Sequence, residues 1–431
     1  MNHLIGNEMH QWATVLFPLN RSLTGDGVRQ TLAFIKEHLP NLKIIEVPSG
    51  TDAFDWKVPK EWAIEDAWIA DLTGKKLIDF KRNNLHVMGY SVPVDKIVSR
   101  DELESHLFSL PDLPDAIPYV TSYYKENYGF CLTQVQKDEL GDGPFHIYID
   151  SKIFDGAMTY AELLIPGESQ EEIFFSTYVC HPSMANNELS GPVVAMALAQ
   201  SIQAMDARRY TYRFLFTVEN IGATYYISKH FEHMKNQIKA GWVLTCMGDN
   251  RTFSYVPTRL GNTLTDSISR RILRDLGLPF KEFSWLDSGS DERRYNSPGI
   301  ELPVGSLMRS MYGTYPEYHT SLDDLELVSP DGLLGGLKML VNAVQILETN
   351  FHWRIKTLCE PQLGKRGLYP NTSTLSVFAE VRNLMNVISF LDGKLSTLEV
   401  ADRCEISYQE VQSILQKLEL ANLIEKILPK S

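Results

Sequence analysis

Three near-continuous apolar runs constrain this chain more than any other feature. "EEIFFSTYVC", "RYTYRFLFTV" and "AGWVLTCMG" show little of the alternation that marks a strand with one solvated face. Each run is followed by a helix-type segment: "LSGPVVAMALAQSIQAM", "GATYYISKHFEHMK" and "NTLTDSISRRILRDLG". Apolar strands separated by amphipathic helices require a sheet covered on both faces. The fold class expected for residues 138–360 is therefore α/β, with a doubly wound mixed sheet. In such sheets, ligands bind beyond the carboxyl ends of the strands.

The flanking segments have a different texture. Residues 1–46 carry apolar residues at helical spacing and belong with the α/β domain. Residues 47–137 form short β-type runs broken by Gly, Pro, Asn and Asp, the pattern of a small inserted β-rich domain. Residues 366–431 hold three helical stretches with Ser at capping positions, and "STLEVADRCEISYQEVQSILQKLELANLIEK" resembles a winged helix-turn-helix. Its would-be recognition helix, "SYQEVQSILQKL", has one Lys and no Arg, and acidic residues outnumber basic ones across the unit. Base-reading helices present a basic face, so dimerisation or docking of a protein partner is expected and nucleic acid is not. A net charge of −13 agrees with that. The five cysteines lack paired spacing, and no signal peptide or membrane span is visible. The expectation is a cytoplasmic chain with no membrane contact.

Chemistry is sought in the polar residues just past the strands. His181 follows the first run, Glu219 and Asn220 the second, and Asp249 the third, while His319 lies in "YPEYHTSLDD" before the last long helix. Imidazole nitrogens and carboxylates gathered at one sheet edge suit a borderline divalent ion, zinc best. Asp291 and Arg294 in "DSGSDERRY" either line the pocket or cap a helix, and Tyr318 either clamps substrate or packs. Arg21, in "NRSLTGDG", belongs to a loop aimed either at substrate or at a neighbouring domain.

"HPSMANNELSG", "TVENIG", "CMGDN", "SGSDERRY" and "YHTSLDD" together resemble the zinc aminopeptidase fold of the co-catalytic metallopeptidases. The longer phrases "NRSLTGDGVRQTL", "VPKEWAIEDAWIAD" and "CHPSMANNELSGP" are closer to a bacterial family of unknown function. That family has an aminopeptidase-like domain and is linked to polysaccharide biosynthesis. The resemblance implies that His181 and His319 are metal ligands and that Glu219 is the general base. Asn187 stands where those peptidases have a bridging Asp, and Asn220 where they have a second ligand Glu. Two lost carboxylates point to one zinc ion per chain, held by His181, His319 and a carboxylate, Glu188 or Asp249. Asn187, Asp291, Arg294 and Tyr318 are left as substrate contacts. The function implied is a zinc-dependent hydrolase acting on an amide bond of a small peptide or an aminoacyl- or acylamino-sugar precursor. The alternative is a metal-stabilised binding or scaffold protein on the same fold.

Overall fold

The computed structural model describes residues 3–123, 125–368 and 375–427. Residues 369–374 and 428–431, within the expected winged unit, lie outside the described residues. The chain divides into two compact units, one of residues 1–265 and 280–338, the other of residues 266–279 and 339–431.

The first unit is built on an eight-stranded mixed sheet. Its order is Lys43–Pro48, Ala157–Ile165, Thr211–Thr217, Glu172–Tyr178, Ile238–Leu244, Val304–Met308, Phe253–Val256 and Phe280–Glu282. The four strands from Thr211–Thr217 to Val304–Met308 run parallel, and every residue of Glu172–Tyr178 and Thr211–Thr217 is buried. That accounts for the unbroken apolar runs. Phe175 stacks on Phe214 and Trp242 of the neighbouring strands, with centroids 5.0 and 5.7 Å apart. Burying a side chain of that size stabilises by about 1.5–3 kcal/mol. Strand Glu172–Tyr178 lies between the next two strands of the sequence, so the winding reverses at its carboxyl end. A crevice opens at such a point.

A smaller antiparallel sheet orders Lys76–Asp79, Glu61–Ala70, Phe145–Phe154 and Val94–Val98. Phe145–Phe154 lies beyond residue 137, yet it sits at the centre of this sheet, and its burial alternates. Ahead of the sheet, Asp52–Ala53 and Trp56–Lys57 form a short hairpin. The segment after Val94–Val98 returns to the α/β core, where Pro118 pairs with Thr320 and the Tyr119 N–H donates to the His319 carbonyl at 2.9 Å. That pairing brings Tyr119 to the strand ends of the large sheet.

The second unit has a three-stranded antiparallel sheet with His352–Ile355 at its centre, flanked by Asp392–Ser396 and Ile424–Ile427. Helix Thr397–Cys404 starts from a capping box of Ser396 and Glu399, and Tyr408–Leu420 starts from Ser407. No helix among the described residues is long and apolar enough to cross a membrane.

Candidate active site

Four non-glycine residues with left-handed backbone lie at the carboxyl edge of the large sheet and its adjoining loops. They are Ser183 (φ 43°), Asn220 (φ 62°), Cys246 (φ 51°) and His319 (φ 55°). Such conformations are disfavoured for L-residues and gather at functional sites. Between them, Ala185–Leu189 forms a single wide π-helical turn before helix Ser190–Gln203. Asp323 holds this turn, accepting from Asn186 N–H at 2.5 Å, Asn187 N–H at 2.9 Å and Ala185 N–H at 3.2 Å. Burial pushes the Asp323 carboxyl up to about 6, against the pull of those bonds.

The turn places Glu188 under His181. Glu188 Oε2 lies 2.6 Å from His181 Nδ1, and the Arg21 Nε lies 3.8 Å from Glu188 Oε1. Arg21 Nε also donates to the His181 carbonyl at 2.9 Å, and Nη1 to the Leu16 carbonyl at 2.6 Å. Arg21 is fully buried, and burial lowers its pKa to about 10 although Glu188 favours the charge. With Nδ1 occupied, His181 presents Nε2 to the open side, 3.8 Å from Glu219 Oε2. Burial opposes a charged His181 ring, but the Glu188 and Glu219 carboxylates hold its pKa above the ordinary histidine value.

Glu219 lies just past strand Thr211–Thr217. Its N–H donates to Cys180 Sγ at 3.2 Å, and its Oε1 accepts from the Ser290 hydroxyl at 2.6 Å. Burial holds the Glu219 carboxyl above the usual carboxylate range, against the pull of His181 and the Ser290 bond. His319 faces His181 with ring centroids 5.4 Å apart; Tyr119 lies edge-on to it at 5.3 Å, and Tyr318 stacks on it at 3.9 Å. Burial and the neighbouring His181 drive His319 down to about 3, so its ring is neutral. His181, Glu219, His319, Tyr119 and Trp56 line one cavity of about 400 Å³.

The remaining candidates are placed differently. Asp249 is buried with both oxygens engaged. Oδ1 accepts from Arg251 N–H and the Ser310 hydroxyl at 2.8 Å each, and Oδ2 from Ser310 N–H at 2.8 Å and Asn186 Nδ2 at 3.3 Å. Four such bonds leave no lone pair for an ion. The expectation of Asp249 as a metal ligand is corrected: it ties loops together. Glu188 stands behind His181 and does not line the cavity: Oε2 meets Nδ1, and Oε1 lies 3.8 Å from Arg21 Nε without a hydrogen bond. Asn187 does not line the cavity; its Nδ2 donates to the Tyr178 hydroxyl at 3.2 Å. Asp291 is also away from the cavity, fully buried, with Oδ1 accepting from the Asn220 N–H at 2.7 Å. Tyr318 supports His319 and is not a cavity wall. Arg294 donates twice to Asn220 Oδ1, at 2.9 and 3.2 Å, and lines an adjoining cavity of about 470 Å³. Tyr119 and Trp56 were not singled out by sequence reasoning, since both come from the β-type segment and no spacing relates them to the strand ends.

The donor set can be tested against zinc. Cys180, His181 and Glu188 have ligand-type atoms within 4.8 Å of one another. That group is a poor metal site: burial raises the Cys180 thiol, Nδ1 is already bonded, and Arg21 supplies a cation. The cavity side fits better: His181 Nε2 and a neutral His319 are two imidazole donors for one zinc, and the Glu219 carboxylate stands beside them, 3.8 Å from Nε2, as the base. A second ion does not fit. Its expected ligands are neutral amides, and Asn220 Oδ1 is already filled by Arg294.

Comparison with known proteins agrees with this fold. Residues 10–350 match the family described as a domain of unknown function, DUF4910, and residues 351–426 match a winged helix-turn-helix family. A Clostridium acetobutylicum protein, provisionally named a polysaccharide biosynthesis protein with aminopeptidase-like domain, is 43% identical over 424 residues, 97% of each chain. A crystal structure from the same organism, provisionally named a peptidase, superposes with a TM-score of 0.93 at 42% identity, covering 99% of this chain and 97% of that one. A zinc aminopeptidase from Bacillus subtilis shares the fold at 13% identity, with a TM-score of 0.57 over 79% of this chain and 94% of that one.

Proposed function

Because this chain belongs to the DUF4910 family and carries a C-terminal winged helix-turn-helix, we propose that it is a hydrolase of the aminopeptidase fold that cleaves an amide bond with one zinc ion. The observation that carries this reading is Glu219, a carboxylate in the cavity wall with Oε2 3.8 Å from His181 Nε2. His181 and His319 would hold the ion. Zinc on these donors supplies a Lewis acid that polarises a carbonyl and lowers the pKa of a bound water to about 7.

Ser290 pins Glu219 Oε1, so Oε2 is the basic oxygen. It accepts the proton of the attacking water and passes it to the leaving nitrogen. Tyr119 packs beside both histidines, and its hydroxyl meets that of Tyr123 at 3.0 Å, forming a wall that limits water. The name of the Clostridium relative favours an acylamino-sugar precursor over a peptide. The chain is read as cytoplasmic, and the winged helix-turn-helix as a surface for a second copy or a protein partner.

Glu219→Gln tests the reading. Amide turnover should fall by about 10²–10⁴-fold, the size of a general-base contribution, with zinc content unchanged by metal analysis. Zinc lost together with turnover would make Glu219 a ligand instead of the base. A wild-type chain that holds zinc and turns over no amide is a scaffold.

A further inference from the structure

An enzyme that trims free amino termini must receive a substrate ammonium, and a buried cation requires an anionic or well-oriented acceptor. Among the described residues that line this cavity, Glu219 is the one carboxylate. Glu219 is committed to the reaction. The residue beside it, Asn220, has no charge, and its amide oxygen already accepts from the Arg294 Nε and Nη2. Asp291 binds the Asn220 N–H from beneath and lines neither cavity.

A cation stands at the edge of the cavity, in a wall that Asp55 shares. The Arg294 guanidinium lies 5.1 Å from the centroid of Trp56, a cation–π arrangement. Trp56 lines both the reaction cavity of about 400 Å³ and the adjoining cavity of about 470 Å³ whose wall includes Arg294. Lys57, on the same hairpin, also lines the reaction cavity, but its ammonium is paired with Asp52. One indole therefore borders both cavities, and the guanidinium beside it is held in place by Asn220. A planar guanidinium fixed on one edge suits a carboxylate or phosphate on the other.

We propose that Arg294 and Trp56 form a second subsite that seats an anionic group on the non-reacting end of the substrate. The natural substrate is then an N-acylated compound bearing a carboxylate or a phosphate monoester, and a free amino terminus is not accepted. This inference rests on the amide-hydrolase reading above and names its substrate class.

The test uses the full zinc-loaded chain and three probes: N-acetyl-L-leucine, N-acetylglucosamine 6-phosphate and L-leucine p-nitroanilide. Binding is read by calorimetry and turnover by amine or nitroaniline release. At least one anionic probe should bind, tenfold or more tighter than the free-amine probe, and which one binds distinguishes carboxylate from phosphate. Arg294→Met should weaken that binding by about tenfold or more, the scale of a charge-assisted pair, and Arg294→Lys should restore part of it. Should Arg294→Met fail to fold, Trp56→Ala, read by the same binding, takes its place. Turnover of the free-amine probe in preference to both anions overturns the inference and leaves the hydrolase reading standing. Anion binding that depends on Arg294 with no turnover does the reverse. Equal anion binding in wild type and in both variants also overturns it.

Discussion

Two halves of one sheet edge behave differently in this protein. Strands Glu172–Tyr178 and Thr211–Thr217 lead into His181 and Glu219, whose Nε2 and Oε2 face each other at 3.8 Å in the wall of a cavity. Strands Ile238–Leu244 and Val304–Met308 lead into Asp249 and Ser310, which bond to each other and to the loops around them. The residue types are similar, but the uses are opposite. A carboxylate past a strand is a candidate ligand only while its lone pairs are unspent, and hydrogen bonds to loop N–H groups spend them as completely as a metal would. The two arginines repeat the lesson, since Arg21 stands beside Glu188 and Arg294 fills Asn220.

The sharpest way to break this comparison is a pair of substitutions read by metal content. His181→Ala should abolish stoichiometric zinc, while Asp249→Asn should leave it intact; zinc lost from Asp249→Asn would restore Asp249 as a ligand. A smaller effect is expected one step behind the metal. Glu188→Ala removes the acceptor that fixes His181 Nδ1 and should weaken zinc binding by about 10–100-fold, the usual scale for such supporting contacts. Glu188→Gln, which keeps an acceptor, should lose less. If both bind zinc as wild type does, Glu188 does not position His181. Smallest in chemical effect is Asp323→Asn. It trades one oxygen that accepts backbone N–H groups for an NH₂, leaving buried donors unpaired at a cost of about 1–3 kcal/mol. Thermal unfolding should register that as a lower midpoint, and an unchanged midpoint would mean the 185–189 turn does not depend on its acid.

Much of the fold is legible because burial on both faces writes itself directly into composition. The run "EEIFFSTYVC" has no room for alternation, and His181 at its end marks the crevice. Phe145–Phe154 is instructive in the other sense. Its sequence, "FHIYIDSKIF", alternates, and the structure places it in the smaller sheet, whose faces differ in exposure. That alternation was the available signal. Trp56 and Tyr119 carried no comparable one, because each reaches the site from a segment far away in sequence.

The chain's own residues determined that a covered sheet would form and that histidine and carboxylate would stand at its carboxyl edge. They also determined that the amides Asn187 and Asn220 would stand near them. Only the tertiary structure decided which of those groups kept a free lone pair. Strand periodicity depends on neighbours two residues apart, whereas the partners of Asp249 and Asn220 lie 61 and 74 residues away in Ser310 and Arg294. Local pattern cannot encode a bond whose other end is set by the packing of the whole unit.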